Sequence, residues 1–221
     1  MDKSNKKVKL SVQVEETLRN RILNLEYPHN YVLVEEALCS EFNVSRSPVR
    51  EALRILEASG MIYKMKNRSY VVKQISQTGV KELYELRLAL EKYVVEKLCH
   101  KEDRDELVQL LVYWQNFDTH NEHDLSTIDR HFHESLAEIY GNKTILDELK
   151  QINERLRVFR EVDFAKSNRV DSTKEQHLEL LKAIHSGDVQ NALKYIEINI
   201  NEGLDNAIEA LKQAILRAYE R

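Results

Sequence analysis

Three arginines spaced four residues apart are the side chains in the first third of the sequence best suited to chemistry. Arg46, Arg50 and Arg54 lie in "NVSRSPVREALRILEASGMI", and residues four apart are neighbours on one face of a helix. The planar guanidinium can hold a phosphate or read O6 and N7 of guanine in the major groove. Spacing alone is more often explained by a solvated basic face. This helix, however, is the third of a three-helix set, follows a short turn and precedes two short strands, and that position favours contact with nucleic acid.

The residues around these arginines predict a helix over about 46–58. Ser45 or Ser47 can accept a hydrogen bond from the unpaired N–H groups of the first turn. Pro48 is tolerated there because its missing N–H would have no partner. The apolar residues that follow have helical spacing and should point to the core: Val49, Ala52, Leu53 and Leu56.

The run "DRHFH" places Asp129 and His133 four residues apart, on one helix face. A carboxylate and an imidazole so placed can supply two ligands to a divalent metal ion. His177 falls beside the apolar stripe of a later helix. A histidine in that position is more often a core residue than a ligand, so spacing alone leaves its role open.

Arg87 lies in the apolar stripe of a helix predicted over 77–100. A buried charge is costly unless it is paired. Two interpretations stand: Arg87 pairs with a nearby carboxylate such as Glu91, or it holds the carboxylate of a small anionic ligand through a bidentate contact.

The charge distribution predicts two modules in the 221-residue chain. Residues 1–75 contain 13 basic and 9 acidic residues, whereas residues 76–221 contain 20 and 28. No apolar run approaches the roughly 20 residues that span a bilayer, and no secretory signal is evident. The two cysteines suggest no disulfide framework. We expect a cytoplasmic protein without membrane contact.

The periodicity predicts a mainly α protein. Residues 1–75 should form three helices and a small β-hairpin, the order of a winged helix-turn-helix. Residues 76–221 should form an all-α antiparallel bundle, because the breaks between its helices are short. The helices expected there are 77–100, 103–117, 122–139, 143–161, 171–186 and 188–219.

The segment "LVEEALCSEFNVSRSPVREALRILEASGMI" resembles the DNA-binding signature of GntR-family bacterial transcription regulators. The resemblance implies that Arg46 and Arg50 contact bases or adjacent phosphates. It also implies that Ser45 and Ser47 hold phosphates and that Arg54 makes a peripheral phosphate contact.

The resemblance extends to a wing, in which Lys66, Asn67 and Arg68 would contact DNA. The chain departs from the family at two places where glycine is usual. It has His29 and Asn30 before the second helix, and "KNRS" at the tip of the wing.

Residues 76–221 resemble the helical FCD-type ligand-binding domain of the FadR subgroup within this family. The matching motifs are "RLALE" with Arg87, "DRHFH" with Asp129 and His133, and "QHLELLKAIHSGD" with His177. In metal-binding members a third histidine follows at the position that Asn199 occupies here.

The resemblance implies a divalent-ion site made of Asp129, His133, His177 and Asn199. The ion could be Zn, Mn, Ni or Mg, and an oxygen ligand from Asn199 makes the harder ions more competitive. A site that has lost its metal is the alternative. With the ion in place, a small organic-acid effector is expected to contact Arg87 and Asn199; without the ion, Arg87 alone would hold it.

These expectations combine into a ligand-responsive regulator, a repressor, that binds a palindromic operator as a homodimer and is modulated by a small carboxylate. The alternative is a metal-dependent enzyme on a helical bundle with an accessory basic domain. A third possibility, a DNA-compacting protein, is disfavoured by the net charge of −4. No general base is evident beside the predicted ligands, so we expect no enzymatic activity.

Overall fold

The computed structural model describes residues 3–23, 26–66, 69–73, 76–118, 125–164 and 169–219. The chain divides into two compact units. One consists of Gln77–Ala210, and the other consists of Met1–Ser76 together with Leu211–Arg221.

The first unit combines three helices with a small antiparallel sheet. Its elements in chain order are α1 (Lys3–Leu23), β1 (Val32–Leu33), α2 (Glu35–Phe42), α3 (Arg46–Ala58), β2 (Ile62–Lys64) and β3 (Tyr70–Val72). The predicted hairpin is present as β2 and β3. The sequence analysis missed β1, which pairs with the other edge of β3, because two residues are too few to show alternation.

The apolar face of α3 forms the centre of this unit. Val49, Ala52, Leu53 and Leu56 are fully buried, as predicted, and α3 packs against α1 and α2. Asn43 ends α2 in the left-handed conformation (φ 50°), which asparagine tolerates better than most residues. This tight turn fixes the direction in which α3 leaves α2.

Ser45 occupies the N-cap position of α3 with an extended backbone, but its hydroxyl makes no capping hydrogen bond. The sequence predicts a hydroxyl cap from Ser45 or Ser47, and this prediction is wrong, because Ser45 makes no such bond and Ser47 lies within α3. The first turn of α3 instead contains Pro48, whose ring has no N–H to satisfy.

The six helices predicted after residue 76 are all present, with small differences at their ends; five lie wholly in the second unit, and the last belongs to it as far as Ala210. They are α4 (Gln77–Cys99), α5 (Asp105–Asn116), α6 (Leu125–Tyr140), α7 (Lys143–Phe164), α8 (Arg169–Ser186) and α9 (Val189–Tyr219). Helix α4 packs against α6, α7 and α8, and α5 packs against α8. Among the described residues, no helix is both long and apolar enough to span a membrane.

Helix α9 continues without a break through Gly203. A Cβ at this position would lie 3.3 Å from the Tyr84 ring of α4, which is tighter than ordinary van der Waals contact. The glycine therefore permits close approach of the two helices and does not end α9.

We expect Leu53→Ala to lower the free energy of unfolding of the first unit by about 3 kcal/mol, because it leaves a cavity beneath α3. Chemical denaturation followed by circular dichroism measures the change. Val12→Ala is the matched control, since this α1 side chain is 43% exposed and its loss should change stability by no more than about 0.5 kcal/mol. Equal effects of the two substitutions would contradict the packing described here.

Candidate functional site

The arginine face of α3 points away from the core, as the spacing predicts. The side chains of Arg46, Arg50 and Arg54 are 62%, 51% and 72% exposed. One short helix therefore carries an apolar face that anchors it and a basic face that is accessible to a polyanion.

The first two arginines form ion pairs with glutamates of the neighbouring helix α2. An Arg46 Nη2 group donates to Glu36 Oε1 at 2.6 Å, and Arg50 Nε donates to Glu35 Oε2 at 2.9 Å. Exposed pairs of this kind contribute only about 0–1 kcal/mol, so a phosphate or a base can displace them. The sequence analysis missed both glutamates because the contacts join two helices.

The hairpin of β2 and β3 lies directly after α3 in the chain. Lys64 lies over the Tyr70 ring, 5.7 Å from its centroid, and Lys66 is exposed in the turn. The predicted wing residues Asn67 and Arg68 lie outside the described residues.

A cluster of buried ionisable side chains lies inside the second unit, where α6 and α8 meet. Asp129 Oδ1 is 3.6 Å from His133 Nε2 and 3.3 Å from His177 Nε2. One possible ligand atom from each of the three residues lies within 4.8 Å of the others, and all three residues are buried. The structure thus brings together three of the four predicted metal ligands.

Asn199 is also buried, and its amide has a partner that the sequence analysis did not anticipate. Its Nδ2 group donates to Gln176 Oε1 at 2.8 Å, and Gln176 Nε2 donates in turn to Glu202 Oε2. Gln176 directly precedes His177 in α8. Asn199 is therefore tied to the residue next to a candidate ligand.

Glu91 connects the histidine cluster to Arg87. Arg87 Nε donates to Glu91 Oε1 at 2.6 Å, and His133 Nδ1 donates to Glu91 Oε2 at 2.5 Å. This pair agrees with the first of the two interpretations of Arg87, in which the guanidinium pairs with a nearby carboxylate. The same guanidinium has a buried Nη2 group that meets no hydrogen-bond acceptor in the described part of the chain, so the pair does not use all its donors.

The charges around Glu91 keep it ionised despite its burial. Burial acts to raise the pKa of this carboxyl, but the charges of His133 and Arg87 and their hydrogen bonds lower it to about 2. For Arg87, burial acts to lower the pKa, yet the carboxylates of Glu91 and Asp129 outweigh it and the pKa is raised. The site contains a full negative charge and a full positive charge side by side.

The donor set fits a divalent cation. Because His133 Nδ1 donates to Glu91, Nε2 is the nitrogen that faces Asp129, and this buried Nε2 has no hydrogen-bond partner among the described residues. Ligands about 2.1 Å from an ion lie roughly 3–4 Å from one another, which matches the separations from Asp129. A cation held between these groups would take the place of a proton at the His133 Nε2 atom and give that atom a partner.

Aromatic rings enclose the cluster on the α5 side. Phe132 stacks on the His177 ring with centroids 3.6 Å apart, and the single tryptophan, Trp114, meets the same ring edge-on at 4.4 Å. A separate cavity of about 190 Å³ is lined by Leu110, Tyr113, Trp114, Ile128, His131, Phe132 and Ser135. Trp114 and Phe132 therefore both line this cavity and pack on the His177 ring.

Both parts of the chain match models of known families. Residues 82–201 match the FCD domain, and residues 10–72 match the family described as bacterial regulatory proteins, gntR family.

Three individual proteins illustrate the similarity. The Nta operon transcriptional regulator of Aminobacter aminovorans is 26% identical over 190 residues, which cover 85% of this chain and 89% of that one. The gluconate operon transcriptional repressor of Bacillus subtilis is 40% identical over 103 residues, 47% of this chain and 42% of that one. A solved structure titled "Lar controls the expression of the Listeria monocytogenes agr system and mediates virulence" matches with a TM-score of 0.69 at 22% identity, covering 89% of this chain and 95% of that one.

We expect Glu91→Ala to lower the free energy of unfolding by about 3 kcal/mol or more, because it leaves Arg87 and His133 buried without their shared carboxylate. Urea denaturation followed by circular dichroism checks this. Glu96→Ala removes an exposed glutamate from the same helix and should change stability little. A similar loss in both variants would show that the buried carboxylate is not what stabilises this site.

Proposed function

The chain belongs to the GntR family of bacterial transcriptional regulators and carries an FCD domain, and from this premise we propose how its two units work. The first unit binds operator DNA through α3. The second binds a small carboxylate beside a divalent metal ion, and this binding changes the affinity for DNA.

The enzymatic alternative is excluded by the family. The matching proteins are transcriptional regulators, and the two family models together span most of the chain. The buried charged cluster of the second unit is therefore best explained as a ligand-binding site.

The proposal that the protein binds operator DNA rests on the exposed arginine face of α3. Arg46 and Arg50 contact base edges or the phosphates beside them, and Arg54 contacts a phosphate at the periphery. Ser45, whose hydroxyl makes no capping bond, and Ser47 lie at the start of α3, where free N–H groups favour a phosphate. In this proposal Lys66, Asn67 and Arg68 extend the contact through the wing.

We further propose that the protein acts as a homodimer on a palindromic operator. Two copies of one helix related by a two-fold axis read two identical half-sites. Repression is proposed because the gluconate operon repressor of B. subtilis is 40% identical over a segment of 103 residues.

The proposal that the protein binds a carboxylate effector rests on the buried cluster of the second unit. Asp129, His133 and His177 hold the ion, which would supply positive charge and open coordination positions to a carboxylate. Arg87 has a buried Nη2 group available to the same carboxylate. Asn199 donates through Nδ2 to Gln176, so its amide oxygen is the atom proposed to contact the ion or the effector.

This pocket could influence the operator only if the carboxylate binds one conformation of the protein better than another. The proposal for DNA and the proposal for the effector can therefore be tested separately.

Arg50→Ala should reduce affinity for the specific operator by roughly tenfold or more, because one bidentate base contact discriminates by about 1–3 kcal/mol. Fluorescence anisotropy with operator and scrambled duplexes measures the effect. Arg54→Ala is the control: loss of a phosphate contact should weaken both duplexes alike and lower the salt dependence by about one charge. Unchanged operator affinity in Arg50→Ala would reject the proposed role of α3.

Metal content tests the proposed ion. Mass spectrometry of the purified protein should find close to one divalent ion per chain in the wild type and little in Asp129→Ala, because the carboxylate lies beside both imidazoles. His131→Ala removes an exposed histidine from the same helix and should keep the ion. A wild type that takes up no ion after loading would mean that the cluster is structural.

A further inference from the structure

The two oxygens of the Glu91 carboxylate are held by different parts of the proposed ligand site. Oε1 accepts from Arg87, the group proposed to hold an anion, and Oε2 accepts from His133, a proposed ligand of the ion. Resting on the proposed function of this pocket, we infer that Glu91 is a positioning residue that couples the binding of the ion to the binding of the anion. Each then strengthens the binding of the other.

The connection is short and buried. The side chains of Arg87 and Glu91 are each 3% exposed, and that of His133 is 1% exposed. Arg87 and Glu91 are one turn apart on α4, whereas His133 lies on α6. Because a carboxylate is rigid and planar, a rotation that follows Arg87 also moves the oxygen that accepts from His133.

The bond to His133 decides which of its nitrogens can meet an ion. Glu91 holds the proton at Nδ1 and leaves Nε2 directed at Asp129. A carboxylate behind a metal-binding imidazole fixes the ring orientation and raises the basicity of the ligand. Loss of such a partner typically costs about 10–100-fold in metal affinity.

The contact between Glu91 and Arg87 determines whether the anion raises or lowers the affinity for the ion. Arg87 and His133 hold the two oxygens of one buried carboxylate, so the guanidinium is close enough to oppose a cation bound to His133. An anion bound at Arg87 Nη2 offsets that positive charge. The guanidinium then neutralises less of the negative charge of Glu91. The anion should therefore raise the affinity for the ion, and by thermodynamic reciprocity the ion raises the affinity for the anion by the same factor.

The test measures this factor by isothermal titration calorimetry on the full-length protein. Mn²⁺ and Zn²⁺ are titrated separately in chloride and in acetate at equal ionic strength. Acetate is a suitable probe because it carries one carboxylate and only weakly binds these ions in solution. For at least one of the two ions, we expect affinity to be higher in acetate by roughly fivefold or more, the usual lower end for coupled sites.

Three variants separate coupling from simple loss of structure. In Glu91→Gln the coupling factor should fall well below the wild-type value, because only the direct attraction between ion and anion would remain, and ion affinity in chloride should fall by roughly tenfold or more. Glu96→Gln, on the exposed side of the same helix, should keep the wild-type factor. Arg87→Lys keeps the positive charge without the guanidinium fork, so it should retain most of the ion affinity while losing the response to acetate.

The outcomes are distinct. A wild-type coupling factor in Glu91→Gln overturns the inference, since acetate would then act on the ion without Glu91. If Glu91→Gln does not fold, Arg87→Lys decides: an undiminished response to acetate overturns the inference. Ion binding that ignores acetate in the wild type overturns it while leaving the metal site in place. No ion binding at all in the wild type rejects both the inference and the proposed metal site.

Discussion

Charge buried away from water is the constraint that organises the second unit. Arg87, Glu91 and Asp129 are buried on α4 and α6, together with two histidines of the cluster. Each charge would be costly alone, so each must meet a partner at hydrogen-bond distance. The positions of α4, α6 and α8 relative to one another must satisfy these contacts as well as the apolar packing.

In the first unit, one short helix must both pack in the core and present positive charge to solvent. Helix α3 buries one face completely and leaves its arginines in solvent. Glu35 and Glu36 of α2 then restrain the arginines without neutralising them permanently, because both pairs remain partly exposed. A basic surface is thus held in one region while its contacts stay exchangeable.

Regular spacing explains what the sequence could predict. The faces of α3, the pairing of Asp129 with His133 and the six helices of the second unit follow from periods of three and four residues. Contacts between helices leave no such signal, so the link from Glu91 to His133 and the pairs on α2 were not foreseen. Glu91 itself was considered only as a partner for Arg87. The family resemblance predicts Asn199 as a site residue. Its hydrogen bond to Gln176 is visible only in the structure.

The position of Trp114 gives the protein a built-in optical probe. It is the single tryptophan of the chain, it is buried, and its ring meets that of His177 at 4.4 Å. The emission of an indole depends on the polarity and charge in its immediate surroundings. A change of charge at His177 should therefore alter the intrinsic fluorescence of the whole protein, and no dye or label would be needed to follow events in the buried cluster.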